Sequence, residues 1–212
     1  MKPNFPALIA LLLLLSMPWG PSYAGNDALV ALKNCLGDIH SVSADFQQQL
    51  YSSDNYLIQD NSGSMVVAAP GRIRWLVESP MQQWVISDGL TLWLYDPDLE
   101  QVIIKPFDQN LGEAPALLLT GNTDQLGSVY VVNFEGPDSS QCHFRLIPRD
   151  EQSLYRELTL LLRGGLPESI TIIDTLDQRT RIGFANVVLN QTVEAGLFRF
   201  DPPPGVDVIR DD

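Results

Sequence analysis

The chain has 212 residues, 26 of them acidic and 13 basic, for a formal charge of −13. A surface that acidic repels phosphate backbones and anionic headgroups, which excludes nucleic acid and stable membrane adsorption. The length suits one domain, with room for a large core or a core plus a cavity.

At the N-terminus Lys2 supplies a short positive region, and Ala7 to Leu15 form an uncharged apolar run of about nine residues. Pro18, Gly20 and Pro21 then break any helix ahead of Ser22-Tyr23-Ala24, the small-x-small pattern that signal peptidase reads. The run is too short for the roughly 20 residues that span a bilayer. Residues 1–24 therefore read as a cleavable signal peptide, cut between Ala24 and Gly25, and residues 25–212 as a single exported domain. No cysteine lies near the new N-terminus, so that domain is expected to be released rather than lipid-anchored.

Asn26 or Asp27 caps a helix expected to run to about His40, with Leu29, Leu32, Leu36 and Ile39 on one face. From Val42 the period changes to two, and Val42, Ala44, Phe46, Gln48 and Leu50 alternate with Ser43, Asp45, Gln47 and Gln49. Short strands are expected at 65–68, 72–78, 82–87, 91–95 and 99–105. Asp88-Gly89 is a two-residue hairpin signal, and Asp96-Pro97-Asp98 marks a further turn. A short helix is expected at 113–119, with Pro115 in its first turn, and another helical turn at 122–127. Strands resume at 129–134, 142–148, 156–163, 168–174, 179–190 and 198–200. One helix, many strands, a helical interruption and more strands describe a strongly curved antiparallel sheet whose concave side the helices cover.

Ile73, Trp75 and Val77 share one face of their strand, opposite Arg72, Arg74 and Glu78. Leu117, Leu118 and Leu119 are consecutive on a very short helix, so they are not expected to face one core together. Such side chains either fill the interior of a curled sheet or line an apolar cavity under a movable helix, and composition does not separate the two. Cys35 and Cys142 either pair or remain two buried thiols, with an oxidising compartment favouring the pair. Their spacing fits no metal motif, and His40 and His143 are far apart in sequence, so no metal site is expected. No nucleophile elbow, phosphate loop or dinucleotide fingerprint is present, and neither catalysis nor a cofactor is expected.

The segment from Pro70 to Gln101 resembles the outer-membrane lipoprotein carrier family, LolA. The matching pieces are Pro70-Gly71-Arg72-Ile73-Arg74-Trp75, Pro80, Val85-Ile86-Ser87-Asp88-Gly89, Leu92-Trp93-Leu94-Tyr95-Asp96-Pro97 and Leu99-Glu100-Gln101. Weaker matches are Phe46-Gln47, Pro115 with its leucines, Phe144-Arg145-Leu146-Ile147-Pro148, and Phe198-Arg199-Phe200 with Pro203-Pro204-Gly205-Val206. The resemblance covers nearly all of residues 25–212 in the expected order. It implies a mainly β (α+β) fold, an unclosed antiparallel β-barrel with a helical lid over an apolar cavity. It also implies a periplasmic, monomeric chaperone that takes acylated lipoproteins from an inner-membrane ABC-type exporter and delivers them to an outer-membrane receptor lipoprotein. Acyl-chain positions carried over are Leu36, Ile73, Trp75, Val85, Leu117, Leu118 and Leu119. The family often has an arginine just before the proline of the central block, thought to hold the lid by hydrogen bonds. Here that residue is Ala69, and Arg72 or Arg74 would have to substitute. Alternatives are a sensor or regulator of the same fold that binds lipoproteins, a carrier for another lipid, and an envelope hydrolase.

Overall fold

The computed structural model describes residues 23–24, 26–107, 115–120, 123–136 and 141–211. The predicted leader up to residue 22, Gly25, Glu113, Ala114 and Asn122 lie outside the described residues. Helix α1 (Asn26–Leu36) carries Asp27 in its first turn and Lys33 in its last, the charge order that its dipole favours. Ala28, Leu32 and Leu36 recur at helical spacing and are buried. The helix ends four residues before the expected His40, where the chain turns out at Gly37. A Cβ at that position would stand 2.6 Å from the Lys33 carbonyl oxygen, so the turn needs glycine. Ile39 is nevertheless buried, beyond the helix proper.

The strands are β1 (Tyr23–Ala24), β2 (Ser41–Tyr51), β3 (Leu57–Ala68), β4 (Arg72–Ser79), β5 (Gln83–Asp88), β6 (Thr91–Asp96) and β7 (Gln101–Pro106). After the 3₁₀ helix η1 (Pro115–Leu119) and helix α2 (Thr123–Val129) come β8 (Tyr130–Phe134), β9 (Gln141–Pro148), β10 (Tyr155–Arg163), β11 (Leu166–Asp174) and β12 (Arg179–Leu189). A second 3₁₀ helix, η2 (Ala195–Phe198), and β13 (Asp207–Arg210) complete the order. These strands form one sheet, β1-β8-β9-β10-β11-β12-β2-β3-β4-β5-β6-β7-β13, whose edges β1 and β13 leave it unclosed.

β2 joins the two halves of this sheet. It pairs with β12 from Tyr51–Arg179 to Val42–Leu189, and with β3 from Ser41–Ala68 to Tyr51–Leu57. Asn190 secures the start of β2, accepting a hydrogen bond from His40 N at 2.7 Å and donating to the Asp38 carbonyl at 2.7 Å.

Beyond the end of α1, expectations change at several strands. β3 runs over 57–68 rather than 65–68, because its first half, Leu57-Ile58-Gln59-Asp60-Asn61, lacks apolar alternation. The two-residue β5–β6 loop is Gly89-Leu90 rather than Asp88-Gly89. Gly89 takes φ +97°, and Asp88 Oδ1 accepts from the amides of Leu90 and Thr91. Residues 198–200 are not a strand: Phe198 closes η2, and Phe198 and Phe200 are buried outside the strand ladder. β13, absent from the sequence expectations, pairs with β7 in parallel, the exception to an otherwise antiparallel sheet.

The main core lies on the concave side. Phe46, Met65, Val67 and Ile73 from one half of the sheet, and Phe144, Leu146, Leu160 and Ile170 from the other, meet α1 and η1 there. Cys35 of α1 is bonded to Cys142 of β9 across 107 residues of sequence, with Cα atoms 6.5 Å apart, which staples the helix to the sheet. Leu117, Leu118 and Leu119 are all buried in this one core, contrary to the sequence expectation. In a 3₁₀ helix successive side chains point about 120° apart, so burying all three requires apolar contact all round. η1 meets that requirement by lying against both β3 and β11, strands from the two halves of the sheet.

A second, smaller core lies on the opposite face of β5–β7. There Ile86, Tyr95, Val102 and Phe200 pack with Trp84, Trp93, Ile104 and Val206, under the segment that runs from η2 to β13. The uninterrupted apolar runs Trp84-Val85-Ile86 and Leu92-Trp93-Leu94-Tyr95 carry the signal for it, since strands buried on both faces do not alternate.

Replacing both cysteines by alanine is expected to cost about 2–4 kcal/mol of stability, measured by urea unfolding, because the bond closes a very long loop. A loss under about 0.5 kcal/mol would contradict a stapling role for this bond.

Candidate functional site

Cross-strand register builds a continuous apolar row on the concave face. Ala44 of β2 pairs with Met65 of β3, Met65 with Trp75 of β4, Trp75 with Val85 of β5, and Val85 with Leu94 of β6. Ala44 and Met65 are buried, whereas Trp75, Val85 and Leu94 are half-buried and pack against the main core from its edge. Phe46 stacks on Trp75 with ring centroids 3.8 Å apart, although a strand lies between them. The β3 residue paired with Phe46 is Gly63, which carries no side chain to separate the rings. Gly63 cannot be enlarged, since a Cβ there would stand 1.8 Å from the Leu76 carbonyl oxygen.

The structure thus brings the carried-over positions to one side of the sheet at two depths. Leu36, Ile73, Leu117, Leu118 and Leu119 are buried in the core, while Trp75 and Val85 lie at its accessible edge. Phe46, Met65 and Leu94 join them, although the sequence does not single them out as site residues. The signal for Leu94 is its place opposite Val85 in a hairpin, and for Met65 its place opposite Trp75.

Arg72 and Arg74, expected as possible lid contacts, face the other way. Period two directs both away from Ile73 and Trp75, onto the outer face beneath η2. The Arg72 guanidinium lies 5.1 Å from the Phe198 ring centroid, and its Nη2 donates to the Ala69 carbonyl at 2.7 Å. Arg74 Nη1 donates to the Leu197 carbonyl at 3.3 Å. These arginines hold the C-terminal segment over the second core. At the end of η1 the buried Thr120 hydroxyl has no partner among the described residues. The described contacts of η1 are therefore chiefly apolar, plus the Thr120 amide bonding back to the Leu117 carbonyl at 3.2 Å.

Burial, and then the neighbouring Tyr155, push the Tyr130 phenol above its ordinary range, so it stays neutral within the core at physiological pH. Among the described residues no group of three His, Cys, Asp or Glu side chains is arranged to hold a metal ion. No helix among them is long and apolar enough to cross a membrane.

Residues 38–201 match the family model described as "Outer membrane lipoprotein carrier protein LolA". The chain belongs to this family. A relative named outer-membrane lipoprotein carrier protein from Chromohalobacter salexigens is 38% identical over 187 residues, 88% of this chain and 87% of its own. One of the same name from Alcanivorax borkumensis is 35% identical over 187 residues, 88% of this chain and 90% of its own. Among solved structures, an uncharacterized conserved protein from Thermus thermophilus aligns with a TM-score of 0.51 at 13% identity, covering 87% of this chain and 98% of that one. That likeness is one of fold. The fold expected from the LolA resemblance, a mainly β, unclosed sheet with helices against one face, is the fold observed.

Thr120→Val removes an unpaired buried hydroxyl at nearly constant volume and is expected to stabilise the protein by about 1 kcal/mol, read as a higher urea midpoint at unchanged slope. A fall in the midpoint would mean that the hydroxyl has a partner that the substitution breaks.

Proposed function

We propose that this chain is a non-enzymatic periplasmic carrier of acylated lipoproteins, which shelters their acyl chains on the concave face beneath η1. The observation that carries this reading is the row Trp75–Val85–Leu94, an in-register apolar edge left half-buried beside a core that a short apolar helix covers. The names of the relatives, outer-membrane lipoprotein carrier proteins, support the same cargo. On this reading an inner-membrane ABC-type exporter loads the carrier and an outer-membrane receptor lipoprotein unloads it.

The energetics explain why such a protein needs apolar surface and a weak closure rather than catalytic groups. Burying an acyl chain is worth about 0.8 kcal/mol per methylene, or roughly 10 kcal/mol for a long chain. Cargo with several chains does not cross water unaided. A carrier must shield it, yet hold it less tightly than the next acceptor if transfer is to run downhill. Closing η1 over the empty face buries Leu117, Leu118 and Leu119 in the carrier itself. Cargo must displace those contacts, and its net affinity falls by that amount.

Ile73 and Leu118 are fully buried, so a polar residue at either would disturb folding together with binding. Val85→Asp is the cleaner test because Val85 is only half-buried. Uptake of a fluorescently labelled acylated lipoprotein from detergent by the purified protein is expected to fall at least about tenfold in this variant, with the fold retained by circular dichroism. No uptake by the folded unsubstituted protein would sink the carrier reading.

A further inference from the structure

Towards the tip of the β2–β3 hairpin the concave face changes character. Beyond Phe46 and Trp75 the inward positions become Gln59 and Asn61 on β3 and Gln83 on β5, and these line one cleft with Gln82, Asp96, Val77 and the exposed Met81. Val77 also belongs to the main core, so the cleft is continuous with the apolar face. Four side-chain amides and a carboxylate thus form a polar rim at one end of an apolar floor. Gln59 donates to Asn61 Oδ1 at 3.2 Å, and Asp96 Oδ1 accepts from the Leu99 amide at 3.1 Å.

The same rim has an unused sheet edge. β4 ends at Ser79, opposite Ser62, so residues 57–61 are paired with β2 on one side and, among the described residues, with no strand on the other. Alternate residues of such a stretch offer main-chain N–H and C=O groups to an added strand. An edge of this length spans about 17 Å, enough for a peptide of about five residues.

We propose that this rim recognises the extended peptide that adjoins the acylated end of the cargo, by strand addition to residues 57–61 and by amide contacts from Gln59 and Gln83. The inference rests on the carrier reading and names the part of the cargo that reading leaves unassigned. Charge selects the occupant. Side-chain amides offer donors and acceptors together, as a peptide main chain does. The Asp96 carboxylate repels the anionic end of a free fatty acid or of an acidic phospholipid, but not a neutral peptide bond. The rim therefore favours an acyl chain attached to peptide over the same chain ending in a carboxylate.

The test compares four probes on the full exported domain: an N-palmitoyl neutral hexapeptide amide, the same peptide N-methylated at alternate residues in each of the two registers, and palmitate. The acyl-peptide is expected to bind about tenfold more tightly than palmitate, and N-methylation, in the register that removes donors to the edge, to abolish most of that advantage. Gln59→Ala with Gln83→Ala should weaken the acyl-peptide about tenfold while leaving palmitate unchanged; both residues are exposed, so the fold should hold. Asp96→Asn should strengthen palmitate alone. Equal binding of acyl-peptide and palmitate by the unsubstituted protein, or indifference of the acyl-peptide to both N-methyl registers and to the glutamine changes, would overturn the rim's role while leaving the carrier reading in place. Binding of no probe by the folded protein would overturn both.

Discussion

A sheet that curves from β1 round to β13 without joining its ends has one apolar face that must be covered by something other than sheet. In this protein the cover is supplied piecemeal. α1 is stapled to β9 by the Cys35–Cys142 bond, and η1 is wedged between β3 and β11. The first cover is covalent, and the second, among the described residues, rests chiefly on the side chains of Leu117, Leu118 and Leu119. That difference in attachment matters more than the presence of either helix. On the proposed reading the face near α1 stays covered, whereas cargo displaces η1 from the face beneath it.

Period two in β4–β6 lets the same strands serve two purposes. One set of side chains, Ile73, Trp75, Val85, Leu92 and Leu94, feeds the concave face. The other set, Trp84, Ile86, Trp93 and Tyr95, feeds the second core under the C-terminal segment, with Arg72 and Arg74 pinning that segment from β4. The outer core stiffens the strands without using concave surface. The concave row stays half-buried while the strands that carry it are stabilised from their other face.

The fold is legible in the sequence wherever apolar alternation is strong. β4 and β6 fall within one residue of expectation, the turn after β6 runs over 97–100 so that β7 starts two residues later than expected, and the family resemblance carries the unclosed sheet. The first half of β3 is not legible, because Gln59 and Asn61 put polar groups where a strand over a core would show apolar ones. β13 follows Pro202-Pro203-Pro204, which reads as loop, and all of its residues are exposed. The burial of Leu117 to Leu119 does not follow from a helix considered alone, since it depends on two distant strands closing round it. Arg72 and Arg74 alternate with Ile73 and Trp75, so the sequence already sets them on the opposite face, where they meet Phe198 and Leu197.

On the proposed function, acyl chains occupy the concave face and not the outer one. A photo-crosslinking amino acid placed at position 85, on the concave face, and separately at position 47, where Gln47 faces outward and donates to Asp60, tests it directly. With a lipoprotein labelled in its acyl chains, irradiation of the loaded carrier should transfer label to position 85 and not to position 47. Equal labelling at the two positions, or labelling at 47 alone, would rule out the concave face as the acyl-chain site.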